Sequence, residues 1–120
     1  MTAESQLVVL YVEEDERLAR LTIQYLVAHG VDVRLVSHGD RAIAELIAVE
    51  PDIVLLDLDL PRLDGHEVCR QIREHTDVPI IVIATHRDEA DRVTGIAADY
   101  LMKPFLSRDL LARLRRHARA

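Results

Sequence analysis

Acidic side chains gather at two short stretches of this chain. Glu13, Glu14 and Asp15 follow the apolar run Leu7 to Val12, and Asp57 and Asp59 follow the run Ile53 to Leu56. The second stretch, "DIVLLDLDLPRLDG", is the more demanding. Consecutive apolar residues read as a strand covered on both faces, and a carboxylate at its end is costly to bury unless something compensates it. A cluster of carboxylates repels itself unless a cation joins it. Oxygen ligands with neither sulfur nor a paired set of histidines suit Mg²⁺. Only one of the fifteen Lys and Arg residues is a lysine, Lys103, and its ammonium can balance negative charge arriving on a ligand. Together with a hydroxyl from Thr85, these groups suit phosphoryl transfer to a carboxylate. Asp57 would attack phosphorus, a metal would neutralise the equatorial oxygens, and lysine and hydroxyl would stabilise the rest. An aspartyl phosphate hydrolyses readily, which suits a switch better than a store.

Each residue also has an ordinary reading. Acids after a strand are favoured at a helix N-terminus by the macrodipole, an Asp ending a strand is commonly a loop residue, and a lysine before proline is commonly a solvated turn. Those readings must all hold at once in three places, and it is the elements between them that decide. Apolar strand-like runs alternate with helix-period segments throughout. "LVVLYV" is a buried strand. "EEDERLARLTIQYLVAHG" is a helix with Leu18, Leu21, Ile23, Tyr25, Leu26 and Ala28 as its apolar positions and Gly30 as its stop. "VDVRLV" is a short strand. "GDRAIAELIAVEP" is a helix presenting Ala42, Ile43, Leu46 and Ile47 and ended by Pro51. The strand opening the second stretch comes next, then "HEVCRQIREH" with Val68, Cys69 and Ile72 inward, and the strand "PIIVIA". The short, weak helix "RDEADRVTGIAA" precedes an edge-like strand, "DYLM". Last comes "RDLLARLRRHARA", with Ser107 as its N-cap and Leu110, Leu111, Leu114 and Ala118 inward.

Five strands alternating with five helices, the strands mostly uniformly apolar, predict an α/β doubly wound five-stranded parallel sheet of order 2-1-3-4-5. In such sheets ligands bind beyond the carboxyl ends of the strands, where the order reverses. Strands one and three flank that point, so Glu13, Glu14, Asp57 and Asp59 meet there. Ala84 and Thr85 leave strand four, and Lys103 leaves strand five, at the same edge. The ordinary readings lose to that convergence.

At 120 residues the chain reads as one domain, spanning 1–120. A 49% apolar and 30% charged composition is that of a folded globule, not a disordered chain. The net charge of −6 argues against direct nucleic-acid binding by this domain, although the balance is uneven, with twelve acids and four arginines in residues 1–60. Arg113, Arg115, Arg116 and Arg119 read as a solvated face. Cys69 reads as a small buried residue, and the scattered histidines show no ligand spacing. A polar start and the lack of a membrane-length apolar run predict a cytoplasmic location with no membrane partner.

The motifs "VEEDERLARL", "DIVLLDLDLPRLDGHEVCRQIR", "PIIVIAT" and "DYLMKPF" cover essentially the whole chain in this order. With them the sequence resembles the receiver domain of bacterial two-component response regulators. It is most similar to the OmpR/PhoB-type branch, whose receivers precede a winged-helix DNA-binding domain. The resemblance implies a flavodoxin-like (CheY-like) fold, Asp57 as phosphoacceptor, and Glu13 and Glu14 as the acidic pair, with Glu14 at the position that contacts Mg²⁺ directly. It implies metal contacts from Asp57 and from the backbone carbonyl of Asp59. Lys103 and Thr85 (or the Ala84 backbone) would bind the phosphoryl group, and Ala84, Thr85 and Tyr100 would form the switch. A cis Lys103–Pro104 peptide would aim the lysine.

Implied partners are a sensor histidine kinase, a second copy through the helix 4–strand 5–helix 5 face, and a C-terminal DNA-binding output, with this domain standing alone or as the N-terminal part of a longer regulator. Transcription control would follow, with no enzyme activity beyond the domain's own phosphorylation and dephosphorylation. Three departures motivate an alternative, an atypical receiver that docks partners without phosphorylation. Glu14 stands where Asp is usual, Ala84 stands where Ser or Thr is usual (with Thr85 next to it), and the stretch from Gly95 to Lys103 is about three residues short. A third reading, a small enzyme on a flavodoxin-like fold, has little support, since the sequence holds no Gly-rich phosphate loop or flavin-type loop and only one candidate nucleophile.

Overall fold

The computed structural model describes residues 6–118. The runs that read as strands are strands: β1 (Val8–Val12), β2 (Asp32–Val36), β3 (Ile53–Asp57), β4 (Ile80–Ala84) and β5 (Asp99–Met102). Between them lie α1 (Glu16–Ala28), α2 (Ala42–Val49), α3 (Gly65–His75) and α4 (Arg87–Asp91), and α5 (Ser107–His117) follows. The sheet order is β2-β1-β3-β4-β5 and every pairing is parallel.

Side chains alternate across the sheet, which explains the unbroken apolar runs. Leu10, Val12, Val54, Leu56 and Val82 pack on one face with Leu46, Val68, Cys69 and Ile72 of α2 and α3. Val9, Tyr11, Leu55, Ile81 and Ile83 pack on the other with Ala19 and Leu26 of α1 and Leu110 and Leu114 of α5. Both β3 and β4 are buried along their whole length.

Local chemistry sets the helix ends. Asp15 caps α1, its Oδ1 accepting from the amides of Arg17 (3.1 Å) and Leu18 (3.2 Å). Gly30 stops the helix at φ +85°, with Gly30 N donating to Val27 O and Val31 N to Leu26 O. Pro51 does follow α2, and Glu50 ends that helix at φ +51°.

Several sequence expectations need correction. The buried line of α1 is Ala19, Thr22 and Leu26, while Leu21 is 63% exposed. On α2, Ile47 is 64% exposed, and a short 3₁₀ turn, Gly39–Arg41, precedes the helix. In both helices the apolar residues span more of the circumference than the sheet can cover. Ser107 does not cap α5. The carbonyl of Leu106 accepts the first helical bond, from Leu110 N, so Leu106 is the cap and Ser107 the first residue inside. Arg119 lies outside the described residues.

The start of α3 depends on close approach. Asp64 Oδ1 accepts from His66 N at 2.9 Å, and a Cβ on Gly65 would collide with the Leu58 carbonyl oxygen and lie 2.7 Å from Leu58 Cα. Gly65→Ala is therefore expected to lower stability by about 1–3 kcal/mol in urea denaturation. Gly95→Ala, where an added Cβ meets nothing within 4 Å, should stay within about 0.5 kcal/mol of the parent. Equal effects at the two positions would refute the close-packing account.

Candidate functional site

The register places Val12 of β1 beside Leu56 of β3, so the next residues, Glu13 and Asp57, emerge side by side at the switch point. Asp57 is fully buried and Glu13 is 2% exposed. Both oxygens of Asp57 are engaged. Oδ1 accepts from the Asp59 amide at 2.8 Å, and Oδ2 accepts from Lys103 Nζ at 2.6 Å. Lys103 also stands 3.3 Å from Asp59 Oδ2, which in turn accepts from Thr85 Oγ1 at 2.6 Å. The Lys103 amide donates to Ala84 O at 2.9 Å, and the Lys103–Pro104 peptide is cis. Thus Asp57, Asp59, Thr85 and Lys103, drawn from three strand ends, form one connected network.

The charges respond to this crowding. Burial, then the closeness and negative charge of Asp57, push the Glu13 carboxyl up to about 8, against the pull of the Asp15 amide and Lys103. Burial alone would lower Lys103, but the Asp57 bond and charge outweigh it and hold the ammonium above its ordinary value. Glu13 Oε2 accepts from Asp15 N at 3.1 Å, whereas Oε1 is buried with no partner, as is the hydroxyl of Tyr11 on the same strand. Burial chiefly raises the Tyr11 phenol as well.

An orphaned carboxylate oxygen beside a second buried carboxylate is a donor set suited to a hard cation that keeps water ligands. Among the described residues, no three His, Cys, Asp or Glu side chains converge into a ready metal cage. Glu14 points elsewhere, with its Oε2 3.5 Å from the Gly39 amide. Ala84 is buried at the end of β4 and brings no hydroxyl. Thr85, one residue on, brings one, and it reaches Asp59, not Asp57. Tyr100 is half-buried on β5 against the α2–α3 side of the core. His66 is a polar centre that sequence reasoning passed over. It is buried between Asp64 and Glu89, and its link to Glu89 spans 23 residues, beyond the reach of local spacing.

Fold and site together define a doubly wound α/β domain with an acid–lysine pocket at its switch point. The chain belongs to the response regulator receiver domain family, whose model matches residues 9–115. It is 39% identical over 110 residues to the transcriptional regulatory protein BaeR of Escherichia coli O6:H1, covering 89% of this chain and 46% of that protein. It is 41% identical over 110 residues to the sensory transduction protein RegX3 of Mycobacterium tuberculosis H37Rv, covering 89% and 48%. Among solved structures, the BeF3-activated N-terminal receiver domain of Klebsiella pneumoniae RstA superposes with a TM-score of 0.83 at 34% identity, covering 94% of this chain and 99% of that one. The chain spans about half the length of the curated relatives it matches. Among the described residues, no helix is long and apolar enough to cross a membrane.

The raised Glu13 has a testable sign. The folded protein retains a proton that the unfolded chain releases above the ordinary value of 4.5, so stability falls as pH rises from there to about 8 and then levels. The lowered carboxyls of Asp32, Asp64 and Asp99 contribute at more acid pH, and Lys103 above the window. Urea denaturation with EDTA across that range should show the decline, and Glu13→Gln should flatten it. An unchanged slope in the variant would remove Glu13 as the cause.

Proposed function

We propose that Asp57 is the phosphoacceptor of this receiver domain and takes its phosphoryl group from the phosphohistidine of a sensor kinase. The observation that carries the reading is the double hold on its carboxylate, Lys103 Nζ on one oxygen and the Asp59 amide on the other. In that frame an Asp57 oxygen forms the new bond to phosphorus as the bond from phosphorus to the donor nitrogen breaks. Lys103 is already against the acceptor, where it can follow the charge onto the phosphoryl oxygens. The fitting cation is Mg²⁺, which Glu13, Asp57 and the Asp59 carbonyl would hold, with Glu14 contributing through water, and which when bound would neutralise phosphoryl oxygens.

The Thr85 hydroxyl is spoken for at rest by Asp59. Recruiting it to the phosphoryl group means breaking that bond, so Asp59 sets the cost of switching as well as adding a carboxylate to the metal site. Movement of Thr85 and inward rotation of Tyr100 would then carry the change to the α4–β5–α5 face, where a second copy pairs. Beside the site a groove of about 560 Å³, lined by Leu18, Leu21, Pro104 and Phe105 together with Lys103 and Thr85, gives the kinase an apolar footing. The exposed Leu21 that α1 does not bury belongs to it. In a protein built like its transcriptional relatives, the output would be DNA binding by a further part of the chain, in the cytoplasm. The Lys103–Asp57 pair and the Thr85 hydroxyl favour this reading over docking without phosphorylation.

Incubation with Mg²⁺ and acetyl phosphate should add one phosphoryl group by intact-mass spectrometry. EDTA and Asp57→Ala should each abolish it. An adduct that persists in Asp57→Ala would move the acceptor elsewhere. Asp59→Met should require more Mg²⁺ for half-maximal modification and should alter the dephosphorylation rate. The tuning role assigned to Asp59 fails if neither changes.

A further inference from the structure

Two side chains of α3, seven residues apart and so on one face of the helix, reach the segment that follows β4. The first is His66, only 3% exposed. Its Nδ1 lies 2.9 Å from Asp64 Oδ1, and its Nε2 lies 2.9 Å from the Glu89 carbonyl oxygen and 2.8 Å from Glu89 Oε2. All three of these atoms are acceptors, so the ring donates to them from whichever nitrogen carries the hydrogen. Arg92 adds a further charge here, its Nη1 standing 3.8 Å from Glu89 Oε2. The second side chain is Arg73. It donates from Nε (3.2 Å) and Nη2 (3.0 Å) to the Ile96 carbonyl and from Nη1 (3.1 Å) to the Thr76 carbonyl.

What lies between these two contacts cannot hold itself. The helix α4 has five residues, well short of a self-sustaining length, and residues 92–96 run on as turns. Its apolar anchors are the buried Ala90 and Val93, with Ile96 and Ala97 partly buried against the same core. The start of this segment is also tied to the pocket, because Thr85 bonds Asp59 just ahead of it and Asp59 stands on the same loop as Asp64. The polar contacts from α3 add a side-chain restraint at each end.

We propose that His66 and Arg73 latch the α4 segment to α3, His66 at Glu89 and Arg73 at Ile96, and that this latch sets how readily the α4–β5–α5 face moves when the pocket is charged. The latch itself belongs to the resting protein. Its consequence for signalling rests on Asp57 being the phosphoacceptor.

Hydrogen exchange of backbone amides in the unphosphorylated protein tests the latch. His66→Phe keeps a ring in the buried site but removes both nitrogens, and Arg73→Met keeps the aliphatic stem. The Val93 amide, bonded to Ala90 O, should exchange about tenfold faster in His66→Phe, and the Ala97 amide, bonded to Val93 O, about tenfold faster in Arg73→Met. Amides of β1 and β3 should be unchanged. Parent-like exchange at 93 and 97, or equal acceleration in β3, overturns the latch. Beryllofluoride with Mg²⁺ separates the two readings. In the parent it should loosen the α4 amides, and in both variants part of that change should precede it. If it perturbs no amide around Asp57 in the parent, the phosphoacceptor reading falls, and the latch is decided by the resting exchange alone.

Discussion

The buried contact between Asp57 and Lys103 is the constraint around which the rest of the molecule is arranged. A fully buried carboxylate without a cation would be severely destabilising, and removing one member of such a pair commonly costs about 3–5 kcal/mol. The two residues are 46 apart in sequence and leave strands that are not neighbours, since β4 lies between β3 and β5. Lys103 meets Asp57 only if β3, β4 and β5 hold their register, and the Lys103 amide on Ala84 O fastens the last of these steps. The unbroken apolar strands are thus more than filler for a core. They fix the strand ends to the tolerance that a 2.6 Å ion pair demands.

That pair also explains why the remaining acids are tolerable. Glu13 sits against Asp57 with one oxygen unpartnered, and the protein answers at rest by favouring its protonated form. Asp59 is partly solvated and shares both Lys103 and the Thr85 hydroxyl. One cation therefore serves two carboxylates, and a third leans on a proton. Such a pocket is balanced at rest but holds unsatisfied demand for positive charge.

The strands and the sheet order were legible because burial on both faces removes all ambiguity from a run such as Ile53 to Leu56. Asp57, Asp59 and Lys103 were legible for the converse reason, since polar residues directly after such runs must emerge at one edge. Periodicity alone could not say which apolar side chains of α1 and α2 face the sheet. Leu21 and Ile47 satisfy a helical stripe as well as Leu26 and Leu46 do, and only packing tells them apart. Ser107 misled because cap chemistry is a matter of one residue, and there a backbone carbonyl settled it. Whether Thr85 could stand in for Ala84 depended on side-chain reach at the end of β4. His66 left no mark at all, because its partner on α4 is brought to it by the fold.

The short α4 region turns that hidden contact into part of the logic of the domain. A long helix carries its own hydrogen-bond ladder and can shift as a rigid body, but five residues followed by turns take their position from whatever they touch. Here they touch α3 through His66 and Arg73 and the pocket through Thr85 and Asp59. The segment is held at two sites with different chemistry, and only one of them lies within reach of a phosphoryl group. A charge placed on Asp57 would act on the Thr85 end while α3 resists. The response of the outer face is then a contest between two sets of hydrogen bonds, and substitutions in α3, away from the reacting atoms, would shift it.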